Sequence, residues 1–331
     1  MPSVTVLGAG GWGTALSVHL ARVGHVVRLW ARDPDLAVQI ESQRTNASYL
    51  PDVPFPSTLR ATGDLADALA GAELVIAAVP SHGTRDVLRL ASPHVQRGTI
   101  VVSATKGLEL DTLFRVSEII DQELKGVRSA VLSGPSFAVE VARELPTAVC
   151  IASSDRDAVA AVQDDLKAPY LRLYGTDDVI GVELGGALKN VIAIAAGVVE
   201  GLGLGHNALA GLITRGLAEI SRLACAAGAK RETLAGLTGL GDLVLTCTGT
   251  LSRNRHVGIE LASGRPIADV LREMKTVAEG VRTTEAALAL ASRHGVELPI
   301  ASQVAEVLAG RKDARTALGE LMLRPQRAEA G

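Results

Sequence analysis

The chain has 331 residues, of which 47% are hydrophobic and 21% charged, and its formal net charge at pH 7 is −3. This balance excludes a disordered chain, and the length suits two domains or one large one. The slightly negative charge excludes a globally basic surface, so we expect neither nucleic acid nor membrane as a partner, and a phosphorylated substrate would need a local positive pocket.

The first predicted element is a strand that runs directly into a glycine-rich turn. Residues 4–15 read VTVLGAGGWGTA, an apolar run followed by G-x-G-x-x-G and the opening of a helix. In a dinucleotide-binding unit Gly8 allows the tight turn, Gly10 lets the backbone approach the phosphates, and Gly13 lets the helix pack close to the strand. With 34 glycines in the chain, the alternative is an ordinary glycine-rich turn, and only the flanking strand and helix favour a cofactor site.

The second strand, predicted at residues 26–30, indicates which dinucleotide binds. An NAD site usually ends this strand with an acidic residue that binds the ribose 2′-hydroxyl, but here Arg32 stands at that place. A guanidinium forms paired hydrogen bonds with a phosphate, so Arg32 favours NADP(H), with NAD(H) as the second choice. The alternative is that Arg32 is a solvated surface side chain and that Asp33 binds the ribose.

Further apolar strands are predicted at residues 74–79, 99–105, 130–133 and 148–151, with helical segments such as residues 64–70 between strands. Continuous apolar strands separated by helices predict a parallel sheet covered on both faces, and the ligands of such sheets bind beyond the carboxyl ends of the strands. Polar clusters stand at three of these ends: Pro80-Ser81-His82, Thr105-Lys106 and Gly134-Pro135-Ser136.

From about Asp177 onward the strand signal fades, and helices rich in Ala and Gly are predicted. They cover residues 179–201, 209–227, 266–275, 283–294 and 303–309. We therefore expect an α/β fold, with a Rossmann-like, mostly parallel sheet in a dinucleotide-binding domain (residues 1–178) and an all-helical substrate and catalytic domain (residues 179–331). The active cleft should lie between them, and the small residues leave room for a homodimer interface.

Other classes of site find little support in the sequence. The most apolar stretch, residues 191–199, is too short to span a bilayer, so we expect no stable membrane insertion, and the early first strand leaves no room for a secretory signal. The three cysteines, Cys150, Cys225 and Cys247, follow no disulfide or metal spacing, which is typical of reduced thiols in a cytoplasmic protein. The seven histidines show no metal-binding grouping, so we expect no metal site.

Lys189 interrupts an otherwise apolar helix and is the first chemical candidate. Gly185 and Gly186 lie four and three residues before it, on the same face of the helix. A lysine whose neighbouring face lacks side chains has room for a ligand, and burial lowers its pKa toward the range useful for proton transfer. The alternative is a lysine that extends from a core helix to solvent.

Two further groups of polar residues follow in the helical half. Asp242 stands between glycines and an apolar run, where it can pair with Lys189, receive a substrate hydroxyl, or simply cap a helix. Residues 252–255 read Ser-Arg-Asn-Arg, and a guanidinium flanked by neutral donors suits a phosphate. The alternative for this second group is a solvated basic loop.

Taken in order and spacing, these motifs resemble bacterial NAD(P)-dependent sn-glycerol-3-phosphate dehydrogenases. The resemblance extends from residue 4 to about residue 320 and includes the runs GAGGWGTAL, VRLWARD, SATKGLE, LSGPSFAVE, VELGGALKNVIAIAAG, GLGDLVLTCT and SRNRHVG. It implies an oxidoreductase that interconverts dihydroxyacetone phosphate and sn-glycerol 3-phosphate. In bacteria the implied direction is reduction, which supplies the backbone of phospholipids.

The resemblance also implies roles for individual residues, with Lys189 as the catalytic proton donor and acceptor. It implies substrate contacts at Lys106, Gly134, Ser136, Lys189, Asp242, Ser252, Arg253 and Asn254. It implies cofactor contacts at Gly8, Gly10, Gly11, Trp12, Gly13, Arg32, Lys106, Ala138, Arg253, Val277 and Glu279. The chain departs from the family at Gly11, where Ser is frequent, and at Ser136, where Thr is frequent.

Two other functions compete with this one. A β-hydroxyacid dehydrogenase of similar two-domain plan would use the same positive residues for a carboxylated substrate. A non-catalytic NADPH-binding protein would need the glycine turn but not the set Lys106, Lys189, Asp242 and Arg253.

Overall fold

The computed structural model describes residues 3–274 and 278–326, and an eight-stranded sheet occupies the first part of the chain. The strand order across the sheet is β3-β2-β1-β4-β5-β6-β7-β8. The strands are β1 Ser3–Leu7, β2 Val26–Trp30, β3 Leu59–Thr62, β4 Leu74–Ala77, β5 Ile100–Ser103, β6 Arg128–Ser133, β7 Thr147–Ala152 and β8 Leu171–Thr176.

Strand direction agrees with the predicted mostly parallel sheet, with one reversal. Every neighbouring pair is parallel except β6 and β7, which are antiparallel. The expectation that the run at 148–151 continues the parallel series is therefore wrong. The connection from β6 to β7 contains only the five-residue helix α6, which is too short to carry the chain back along the sheet to the edge where β6 begins. β3 and β8 were not predicted, since both lie at the sheet edges and lack a continuous apolar run.

Helices cover both faces of this sheet. Asp33, Asp64 and Asp155 begin three of them, each accepting a hydrogen bond from a first-turn backbone amide with its carboxylate. The helices are α1 Gly11–Arg22, α2 Pro34–Gln43, α3 Leu65–Leu69, α4 Ser81–Ala91, α5 Val116–Glu123, α6 Ala138–Ala142 and α7 Arg156–Leu166. A short 3₁₀ helix, Ser92–His94, follows α4.

Beyond β8 every element that the structure describes is helical. These elements are α8 Val179–Gly201, α9 Gly205–Ala226, α10 Arg231–Ala235, α11 Asp242–Thr248, α12 Arg253–Ala262, α13 Ile267–Glu273, α14 Glu279–His294, α15 Pro299–Leu308 and α16 Ala314–Met322, with a π-turn at Leu237–Gly241 before α11. The bounds of α8 agree with the prediction, whereas α9, α14 and α15 each begin four residues earlier than predicted. The short helices α10, α11, α12 and α16 were not predicted.

Helix α8 is the centre of the helical part, and glycines let its neighbours approach. A Cβ atom on Gly197 would lie 1.9 Å from the Arg255 carbonyl oxygen, and one on Gly258 would lie 1.9 Å from the Ile194 carbonyl oxygen, so α8 and α12 pack backbone to backbone. The helix is long and apolar enough to cross a membrane, contrary to the length argument from residues 191–199, but 83% of its most apolar window is buried inside the protein. Its apolarity is explained by its place in the core.

Candidate active site

The glycine turn has the geometry expected of a pyrophosphate site. Gly8 has a φ of +112°, and a Cβ there would lie 2.6 Å from the Ala78 carbonyl oxygen. A Cβ on Gly13 would lie 2.0 Å from the Gly8 carbonyl oxygen, whereas none of the described residues comes within 4 Å of one on Gly10. Helix α1 begins at Gly11 without a side-chain cap, so its first amides are available to an anion. The residues present therefore fit a dinucleotide.

Arg32 lies at the carboxyl end of β2 and is exposed. The carboxylate of the neighbouring Asp33 accepts a hydrogen bond of 3.0 Å from the Asp35 amide and caps α2. If Asp33 bound the cofactor ribose, it would have to use its second carboxylate oxygen, because the first already accepts the hydrogen bond that caps α2. The exposed guanidinium of Arg32 and the second carboxylate oxygen of Asp33 both lie at this edge.

Lys106 and Lys189 converge on Asp242. The Lys189 ammonium donates to Asp242 Oδ1 at 2.5 Å and to Thr246 Oγ1 at 2.6 Å. The Lys106 ammonium donates to Asp242 Oδ2 at 2.7 Å and to the Gly134 carbonyl at 3.1 Å. Lys106 follows β5, Lys189 lies on α8, and Asp242 opens α11, so three separate elements build this cluster.

Each of these two ammonium groups retains a donor. A protonated lysine has three N–H bonds, and within the described part of the chain each lysine uses two of them. Lys189 and Asp242 are buried, while Lys106 is partly exposed, so the open side of the cluster lies toward Lys106. The arrangement offers two N–H groups to one small polar ligand.

Burial controls the protonation of this cluster. It lowers the pKa of Lys189 to about 8, an effect that Asp242 opposes and the positive charge of Lys106 reinforces. The pKa of Glu279, the first residue of α14, is raised by burial and held down by Arg253, Lys106 and Lys189. Glu279 therefore lies within electrostatic reach of both lysines and of Arg253.

A short segment joins the lysine cluster to the glycine turn. At one end the Gly134 carbonyl accepts hydrogen bonds from Lys106 and from Ser136 Oγ, the latter at 2.9 Å. At the other end the Ala138 Cβ lies 3.9 Å from the Cβ position of Gly11. The half-buried Trp12 packs against the same apolar cluster as Ala138. The predicted cofactor and substrate residues of this segment are thus contiguous.

The Ser-Arg-Asn group lies at the start of α12, and its members have different surroundings. Ser252 caps the helix, since its Oγ accepts a hydrogen bond of 3.3 Å from the Arg255 amide. The buried Asn254 donates to Asn190 Oδ1 at 3.0 Å and accepts from the Gly280 amide at 2.9 Å. Only Arg253 is exposed, with no hydrogen-bond partner among the described residues. Of the three side chains, Arg253 alone is unengaged.

Gly185 and Gly186 do not leave open space beside Lys189. A Cβ on Gly185 would lie 2.8 Å from the Thr238 carbonyl oxygen, and one on Gly186 would lie 2.4 Å from Ser133 Oγ. The prediction of room for a ligand on this glycine face is therefore wrong. The glycines instead let the π-turn and β6 approach α8, which brings Asp242 and Lys106 to the lysine.

Two polar residues near Lys189 carry no signal in the sequence that points to the site. Thr246 follows Asp242 by one helical turn and accepts from Lys189, a spacing visible in the sequence once α11 is known. Asn190 is buried, and its Nδ2 has no hydrogen-bond partner among the described residues, although it adjoins Lys189 in the chain. Val277, expected at the cofactor, lies outside the described residues.

Comparison with known proteins identifies the family. Residues 3–159 match the family model for the N-terminus of NAD-dependent glycerol-3-phosphate dehydrogenase, and residues 178–319 match the model for its C-terminus. The chain is 51% identical to a glycerol-3-phosphate dehydrogenase [NAD(P)+] of Koribacter versatilis, with 99% of each chain covered. It is 50% identical to the protein of that name from Citrifermentans bemidjiense, with 98% of each covered.

The fold agrees with these matches. The crystal structure of glycerol-3-phosphate dehydrogenase from Coxiella burnetii superposes with a TM-score of 0.95 at 42% identity, covering 98% of this chain and 99% of that one. Both family models and the solved structure thus account for nearly the whole length. The chain belongs to the NAD-dependent glycerol-3-phosphate dehydrogenase family.

Proposed function

We propose that the chain reduces dihydroxyacetone phosphate reversibly to sn-glycerol 3-phosphate, with NADP(H) preferred over NAD(H), at a site formed by Lys106, Lys189 and Asp242. The observation that supports this site is the pair of ammonium groups that share one buried carboxylate and each keep a free N–H. The segment from Gly134 to Ala138 brings this pair to the cofactor turn.

Lys189 is the proton donor of the proposed reaction. A nicotinamide dinucleotide held at the Gly8–Gly13 turn would supply hydride to the ketone carbon, and the ketone oxygen then needs a proton. The third N–H of Lys189 stabilises the developing negative charge and transfers that proton, while Asp242 and Thr246 hold the amine in place. In the oxidation the neutral amine takes the proton from the alcohol.

Arg253 and Lys106 are the cations proposed for the substrate phosphate and carbonyl. Arg253 is exposed at the first turn of α12, where its guanidinium can meet both the substrate and the cofactor. Lys106 polarises the ketone oxygen or binds phosphate with its remaining donor. Ser136, Ser252 and Asn254 add neutral hydrogen-bonding groups at the same edge.

The proposal includes a division into two domains, residues 1–178 and 179–331, which is supported by the end of the last strand at Thr176 and the start of α8 at Val179.

The proposal also includes a cytoplasmic homodimer that supplies the glycerol phosphate backbone of phospholipids. Light scattering on purified protein tests the dimer.

The test of the activity is a spectrophotometric assay of NADPH oxidation with dihydroxyacetone phosphate or a β-oxo acid. We expect the wild-type protein to turn over dihydroxyacetone phosphate and not the β-oxo acid. Lys189→Ala should reduce kcat for dihydroxyacetone phosphate by roughly 10²- to 10⁴-fold without weakening NADPH binding. Turnover of the oxo acid alone would instead support a β-hydroxyacid dehydrogenase. NADPH binding without any turnover would support a binding protein.

A second variant tests the phosphate assignment. Arg253→Ala should raise the KM for dihydroxyacetone phosphate by about 10-fold or more, since a charge-assisted hydrogen bond contributes about 1.5–3 kcal/mol. Arg265, which pairs with Glu260 and Glu273 at the far end of α12, provides a control. An unchanged KM in Arg253→Ala would remove Arg253 from the phosphate site.

A further inference from the structure

A buried carboxylate on α8 has no part in the chemistry described above. The Glu183 side chain is 3% exposed, and it accepts hydrogen bonds from Arg115 Nη1 at 2.8 Å, the Ser117 amide at 2.8 Å and Ser117 Oγ at 2.6 Å. All three donors belong to the beginning of α5, in the sheet part of the chain. Glu183 therefore ties the helix that carries Lys189 to an element of the other half.

The segment between Lys106 and Arg115, here called the strap, connects this carboxylate with the second lysine. The strap begins at Lys106, and residues Leu108 and Arg115 form an antiparallel bridge that closes it into a loop. At its end Arg115 is held by Glu118, whose carboxylate accepts a hydrogen bond of 2.8 Å from the Arg115 amide. Both ends of the strap thus have defined positions.

Side chains of the strap contact both halves of the molecule. Leu108 is buried in the apolar cluster of the helical part, and Leu110 and Leu113 pack against that cluster. Glu109 points the other way and accepts two hydrogen bonds of 2.7 Å from Arg85 on α4, which also binds Glu123. The strap is therefore held between the sheet part and α8.

We propose that Glu183 is a positioning residue: through Arg115 and Ser117 it holds the strap against α8 and so sets the place of Lys106 relative to Lys189. The inference rests on the proposed function. Asp242 bridges both ammonium groups, at 2.5 and 2.7 Å, and the position of this bridged pair in the site depends on where the two backbones that carry the lysines are held. Lysine side chains are long and flexible and do not define this placement themselves, so it comes from contacts between the two elements, such as those of Glu183 with Arg115 and Ser117.

The first test compares Glu183→Gln with Glu219→Gln. Glu219 is an equally buried carboxylate of the helical part that accepts two backbone amides at the start of α15 and does not touch the strap. We expect Glu183→Gln to lower kcat for dihydroxyacetone phosphate by about 10-fold or more, with NADPH affinity unchanged, because a small misplacement of a reacting group is costly. Glu219→Gln should leave kcat within about twofold of wild type.

The pH dependence distinguishes positioning from a general loss of structure. Lys106 lowers the pKa of Lys189, so a displaced Lys106 should move the midpoint of the kcat profile to higher pH in Glu183→Gln. Hydrogen exchange of the amides at residues 106–115 should become faster in the same variant, a result that does not depend on activity. A normal kcat, an unmoved midpoint and unchanged exchange in a folded Glu183→Gln protein would overturn the proposal.

Two additional variants keep the test decisive. The double variant Arg115→Met/Glu183→Gln should reduce kcat no more than the stronger of the two single variants. Each single substitution already breaks the same ion pair, between Arg115 and Glu183. Should Glu183→Gln fail to fold, Ser117→Ala removes only the two hydrogen bonds of the Ser117 hydroxyl, to Glu183 and from Arg115, and leaves the Arg115–Glu183 ion pair in place. It should produce smaller changes of the same sign, and no change would overturn the proposal. Absence of turnover in the wild-type protein would instead refute the proposed function itself.

Discussion

Asp242 and Lys189 form a 2.5 Å ion pair at the centre of the molecule, and the second oxygen of the same carboxylate binds Lys106 at 2.7 Å. Asp242 is 1% exposed, so solvent and salt screen its interactions with the two cations only weakly. One carboxylate therefore keeps two ammonium groups close together and offsets their mutual repulsion. Its loss should affect both charge and geometry at the site.

We expect Asp242→Asn to reduce kcat by roughly 100-fold or more at neutral pH. Asp242 raises the pKa of Lys189, so its neutralisation should move the midpoint of the kcat profile for reduction to lower pH. Steady-state kinetics between pH 6 and pH 9 measure both effects. Thr246→Ser, which keeps the hydroxyl that accepts from Lys189, serves as the control, and an unmoved midpoint in Asp242→Asn would contradict the proposed role of the carboxylate.

The two directions of the reaction should respond to pH in opposite ways. The pKa of Lys189 is lowered to about 8, and reduction needs the ammonium form whereas oxidation needs the neutral amine. The kcat for dihydroxyacetone phosphate reduction should therefore fall as pH rises through about 8, and the kcat for glycerol 3-phosphate oxidation should rise through the same range. Parallel profiles in the two directions would exclude Lys189 as the titrating group.

Cofactor preference should depend on Arg32. Arg32→Ala removes the exposed guanidinium at the end of β2, and we expect kcat/KM with NADPH to fall by about 10-fold or more while the value with NADH changes little. Arg28→Ala is a suitable control, because Arg28 lies on the same strand and donates to the Ala70 carbonyl. Retention of the wild-type NADPH preference in Arg32→Ala would assign the selectivity to other residues.

Glu219 should make stability fall as pH rises. Burial raises the pKa of this carboxyl to about 7 from an ordinary value of 4.5, so between these values the folded state binds more protons than the unfolded state. The free energy of unfolding then decreases with increasing pH across this window, by about 3 kcal/mol for this group. Denaturant titrations at pH 5 and pH 7.5 should show a smaller decrease for Glu219→Gln than for wild type, and equal decreases would contradict the assignment.

Much of the fold was predictable because its signals are local. The continuous apolar runs of β4 and β5 and the Ala/Gly-rich run of α8 indicate their own secondary structure. The glycine turn identifies itself through its neighbours on either side. The edge strand β8 was not predictable in this way, because it is a strand only through its pairing with β7. The reversed direction of β7 was not predictable either, because it is defined by the pairing of β7 with β6.

The site shows the same division. The sequence by itself determined which chemical groups are available, because a lysine in an apolar helix and an aspartate between a glycine-rich turn and an apolar run each stand out within a short stretch of chain. Only the tertiary structure decided that Lys106, Lys189 and Asp242 meet, that Gly185 and Gly186 serve packing, and that Glu183 joins the strap to α8. These contacts join residues far apart in the chain, and the packing of one element on another, which no local pattern encodes, sets their distances.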